Sequence, residues 1–72
     1  MTPETIKEID ETLKLHSLYS GTYTKKYLKR MDALAINESG APGLRLSKLL
    51  NKYYKAIGVE NIQEAFDRLR SL

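Results

Sequence analysis

Leu46, Leu49, Leu50, Tyr53 and Ile57 recur at three-, four- and seven-residue steps, and no other pattern in the chain constrains its fold so strongly. That spacing lines one side of an α-helix. Arg45, Lys48, Lys52 and Lys55 repeat at three- and four-residue steps of their own. Residues 44–57 are therefore expected to form a helix that supplies an apolar face to a core and a cationic ridge to the surface.

The same period runs through the rest of the chain. Thr2, Pro3 and Glu4 combine a hydroxyl cap, a proline at the first helical position and an acid near the positive end of the helix dipole. They predict a first helix from about residue 3 to near Ser17, with Ile6, Ile9 and Leu13 inward, continued by Leu15 or His16 and then Leu18. Glu4, Glu8 and Glu11 stack along another of its faces. The hydroxyls and glycine of residues 17–22 favour a turn. From Thr22 or Thr24 a second helix is expected to about Ile36, with Tyr23, Tyr27, Met31 and Leu34 in a stripe and Leu28 and Ala35 beside them. Asn37 to Gly43 holds two glycines and a proline and reads as a connection inside one core. The third helix is expected to start between Leu44 and Lys48, with Ser47 available as a cap, and to stop at Gly58. Asn61 with Glu64 has the spacing of a capping box, and Ile62, Ala65, Phe66 and Leu69 continue as a short amphipathic helix. No segment alternates as a strand does. The expected fold is all-α, a single domain over residues 1–72 with about four helices.

At 72 residues the chain buries only about 60% of its unfolded surface, so its stability is expected to be modest. Cysteine is absent, which removes disulfides and thiolate chemistry and suits a reducing compartment. With no apolar run near 20 residues and no basic-then-apolar N-terminus, the expectation is a cytoplasmic protein outside the membrane.

The inventory for catalysis is thin. His16 is the only histidine and has neither a second metal ligand nor a nucleophile motif to serve. Gly40-Ala41-Pro42-Gly43 follows no strand and lacks the Gly-Lys-Ser/Thr of a phosphate loop. Successive helical residues diverge by about 100°, so Glu8, Asp10 and Glu11 do not converge on one ion and are expected to be solvated. No enzyme activity, cofactor or metal is expected.

Charge is distributed unevenly. Lys7 and Lys14 against Glu4, Glu8, Asp10 and Glu11 leave residues 1–20 acidic, whereas residues 21–58 carry eight cations, Lys25, Lys26, Lys29, Arg30, Arg45, Lys48, Lys52 and Lys55, against Asp32 and Glu38. Two clusters mix cations with phenols: Tyr23, Lys25, Lys26, Tyr27, Lys29 and Arg30, then Lys48, Lys52, Tyr53, Tyr54 and Lys55. Such sets suit phosphate contact and stacking, and equally suit a solvated lysine face over core tyrosines.

Residues 20–31, SGTYTKKYLKRM, resemble the turn and reading helix of bacterial and phage helix-turn-helix regulators, with Gly21 in the turn. Ser20 and Arg30 depart from that pattern, standing where it buries apolar side chains. A second corner, Ala56-Ile57-Gly58-Val59, is similar, but Glu64 then falls on a position the motif keeps apolar. Size, helical plan and these two corners together resemble the small regulators of temperate phages, including the modulators and antirepressors that bind a repressor and mask its DNA-reading surface. That resemblance implies control of a lysis/lysogeny switch by complex formation. Two partners are then open. A DNA-binding repressor would meet Glu4, Glu8 and Glu11 with tyrosines at the centre of the contact. Duplex DNA would meet the basic segment 25–55. The sequence leaves the oligomeric state undecided.

Overall fold

Three of the helices carry a local signal at one of their ends. The computed structural model describes residues 1–14 and 25–71, and among these the regular elements are four helices, with no strand. Helix α1 spans Pro3–Leu13, α2 Lys25–Leu34, α3 Pro42–Ile57 and α4 Ile62–Arg70. At the start of α1 the Thr2 hydroxyl accepts the Thr5 amide at 3.2 Å, and Pro3 occupies the first turn as expected. Asn61 caps α4 by accepting the Glu64 amide at 3.0 Å, while Glu64 reaches back to accept the Glu60 amide at 3.3 Å. The reciprocal pattern foreseen for Asn61 and Glu64 is present, shifted by one residue on its return bond.

Helix α3 starts earlier than expected. It begins at Pro42, with Ala41 at the cap position and no side-chain cap bond, so Ser47 is an exposed residue inside the helix. A proline that would break a helix interior is preorganised for the first turn, where its missing N–H costs nothing. At the other end Gly58 adopts φ 77°, and its amide and that of Val59 both reach the Tyr54 carbonyl. Only glycine takes that left-handed conformation without penalty, which explains the stop.

The core draws on all four helices. Ile9 and Leu13 from α1 and Tyr27 and Met31 from α2 are buried together with Leu49 and Tyr53 from α3 and Ala65 and Leu69 from α4. Leu46, Leu50 and Ile57 pack half-buried at the edge, so the apolar stripe of α3 faces inward. Helix α1 packs on both α2 and α3, and α2 packs on α3. Among the described residues one polar side chain, Thr12, is fully buried, and its hydroxyl is satisfied by the Glu8 carbonyl at 2.7 Å. The first helix's end near Ser17, the start of the second at Thr22 or Thr24 and the turn holding Gly21 lie outside the described residues. Among the described residues no helix is long and apolar enough to cross a membrane.

Candidate functional site

The cationic ridge of α3 is largely spent on the protein itself. Lys48 donates from Nζ to the Ser39 carbonyl at 2.9 Å and to its hydroxyl at 2.6 Å. One turn later Lys52 donates to Glu38 at 2.9 Å, and Arg45 faces Asp32 at 3.6 Å. All three reach back to α2 and the connection that follows it, so they fasten that segment to α3. Lys55 alone of the four is exposed without such a partner among the described residues. A row of lysines at helical spacing predicts a shared face, but not whether a loop folds over it.

The phenols move inward as well. Tyr27 is 2% exposed and Tyr53 is fully buried, which corrects their expected place in a contact surface. A phenol ring carries more apolar surface than a bundle this small can leave in water, and both rings sit on the inward stripe of their helix. Tyr54 is half-buried beside Tyr53, with ring centres 6.0 Å apart. Tyr23 lies outside the described residues.

Two rows of charged side chains face solvent on α2 and α1. On α2, Lys25, Lys26, Lys29 and Arg30 are exposed, and the three lysines have no ion-pair partner among the described residues. On α1, Glu4, Glu8 and Glu11 are exposed along one face, and none of them pairs with a cation among the described residues. Lys7 flanks that row. Of the other six acids, Asp10, Asp32, Glu38 and Asp67 each meet an arginine or lysine, Glu64 serves as a cap, and Glu60 is exposed without an ion pair among the described residues.

Asp10 corrects the expectation that the acids of the first helix are solvated. It accepts a hydrogen bond from the Tyr53 hydroxyl and takes Arg68 Nη1 at 3.1 Å, joining α1, α3 and α4 through one carboxylate. Burial, followed by this bond to Asp10, pushes the Tyr53 hydroxyl well above its ordinary pKa of 10.0. The folded protein then keeps a proton that the unfolded chain gives up, so this contribution is complete below about pH 10 and is lost as pH rises further. Urea titrations of wild type and Tyr53→Phe at pH 8 and pH 11 should show the wild type losing about 1 kcal/mol more than the variant over that interval.

A groove lies between α2 and the start of α3, lined by Leu28, Lys29, Asp32, Pro42, Gly43 and Leu46, with a volume of about 370 Å³. Leu28, placed beside the apolar stripe by its spacing, in fact points away from the core and is 47% exposed. It follows Tyr27 by one residue and so turns about 100° from it. At the groove wall the Asp32–Arg45 pair is held by charge rather than by a hydrogen bond: Asp32 Oδ1 and Arg45 Nε are buried without a hydrogen-bond partner. Among the described residues no three histidines, cysteines or acids gather as metal ligands would. Helix α4 presents Glu64 and Asp67 to solvent, a poor surface to set against phosphate at the second glycine corner. Compared with protein-family models, curated proteins and solved structures, the chain matches none of them.

Proposed function

We propose that this protein is a non-enzymatic modulator of transcription in a phage-type genetic switch, acting by complex formation with a DNA-binding repressor. The supporting observation is the row Glu4, Glu8 and Glu11. Among the described residues Asp10, Asp32, Glu38 and Asp67 each pair with a cation, whereas these three stand together on one helix face with no cation paired to them. Seven residues of helix rise about 10 Å, so the row matches two turns of a reading helix in length and opposes its charge. A repressor surface built to bind phosphate would lose its counterions to such a row and be hidden from DNA. With Tyr27 and Tyr53 buried, the contact is polar at its centre and sensitive to salt.

The test titrates the protein into a repressor bound to its operator duplex. The repressor's apparent operator affinity should fall in proportion to the protein added, and the triple variant Glu4→Gln, Glu8→Gln, Glu11→Gln should abolish the effect while leaving the helix content unchanged. Unaltered operator affinity at saturating wild-type protein would remove the proposal.

A second reading, direct binding of duplex DNA, draws on the exposed Lys25, Lys26 and Lys29 with Arg30 beside them. Three or so phosphate contacts give a slope of about −2.7 in log affinity against log salt, an approximately 40-fold loss between 50 and 200 mM. Measured on duplex alone, that slope separates the two readings, because the repressor reading requires no affinity for bare DNA.

A further inference from the structure

We infer that the groove between α2 and the first turn of α3 docks an acidic amphipathic helix from another protein. The inference goes beyond the reading above, since it uses none of the acids on α1.

Shape and chemistry define the occupant. The lining is aliphatic at Leu28, Pro42 and Leu46, and Leu28 is nearly half exposed at the lip of the groove. A surface of that kind takes aliphatic side chains spaced one turn apart on an incoming helix. With the residues around it, its net charge is positive. Lys29 lines the groove and Lys25 stands one turn before it on the same face of α2, both exposed. The single acid of the lining, Asp32, stands 3.6 Å from Arg45, which offsets its charge. Ala41 offers no side-chain acceptor to the first turn of α3, and Pro42 and Gly43 of that turn line the groove. An acid flanking the aliphatic anchors would therefore find cations on one wall and a favourable dipole on the other.

Two other occupants fit less well. A second copy docking by the same face would bring Lys25 and Lys29 against their own equivalents about a two-fold axis, where like charges repel. Nucleic acid would satisfy the lysines but leave the aliphatic lining against phosphate and sugar.

The experiment follows amide shifts of the ¹⁵N-labelled protein on adding a synthetic helical peptide with leucines four residues apart flanked by glutamates. The control is the same peptide with lysine for each glutamate. The acidic peptide should shift the amides of Leu28, Lys29, Gly43 and Leu46 and bind with a dissociation constant of about 10–100 μM. The lysine peptide should bind at least about tenfold more weakly, as should the acidic peptide to Leu28→Glu and to Lys29→Glu. Both substitutions are at exposed positions, and a dispersed spectrum establishes that each variant is folded. Equal binding of the two peptides, or shifts confined to other residues, would overturn the assignment. So would concentration-dependent shifts of the same amides without peptide, since those would identify a second copy as the occupant. Groove amides that move with a duplex oligonucleotide but not with the acidic peptide would overturn it in favour of nucleic acid.

Discussion

Tyr53→Ala should destabilise the protein by about 3–5 kcal/mol, measured as the shift in urea midpoint multiplied by the wild-type slope. The substitution removes the larger part of a fully buried aromatic side chain and the hydroxyl that α1 holds. For 72 residues the whole stability is expected to be about 4–11 kcal/mol, so the variant sits near the unfolding threshold at 25 °C. Tyr53→Phe keeps the ring and loses only the hydroxyl bond, at a cost of about 1 kcal/mol. The difference between these two variants measures how much of the residue's contribution is packing. A result in which alanine cost no more than phenylalanine would show that the ring is not in the core.

The second large effect is expected at Asp10. Asp10→Ala leaves both the Tyr53 hydroxyl and the Arg68 guanidinium without their acceptor in a half-buried setting, and should cost about 2–3 kcal/mol. Arg68 is about one-third exposed and can recover some hydration, which keeps the figure below that of a fully buried pair. Asp10→Asn retains an acceptor for the hydroxyl while losing the charge, so its cost should be about half as large. Glu8→Ala and Glu11→Ala, one to two residues away and facing solvent, should stay within about 0.5 kcal/mol of wild type. The contrast among neighbouring acids on one helix is what separates a tie between helices from a general charge effect.

Legibility in the sequence depended on range. Caps and stripes are local, so the Thr2–Pro3 start, the Asn61–Glu64 cap, the Gly58 stop and the inward face of Leu49 could all be read from residues within a turn or two of one another, whereas Tyr53 fits both the inward stripe and a contact surface until its burial decides. Pro42 was also local but ambiguous: the same residue breaks a helix interior and opens a first turn, and the glycines beside it tipped the reading toward a loop. What escaped was decided by contacts across the chain. Asp10 meets Tyr53 and Arg68 from 43 and 58 positions away, a separation no periodicity reports. Lys48 and Lys52 look like an open ridge until Ser39 and Glu38 fold against them. The groove escaped for the same reason, since Leu28 and Pro42 become its walls only when two helices meet. Glu4, Glu8 and Glu11 kept their expected exposure because nothing folds over that face among the described residues.

The carboxylate of Asp10 also imposes an order on events during synthesis. A nascent chain emerges from its N-terminus, so α1 is made early and must wait for Arg68 before its acid gains both partners. Until then the core that Ile9 and Leu13 share with Ala65 and Leu69 is incomplete, and a chain stalled before α4 is expected to expose apolar surface to chaperones and proteases.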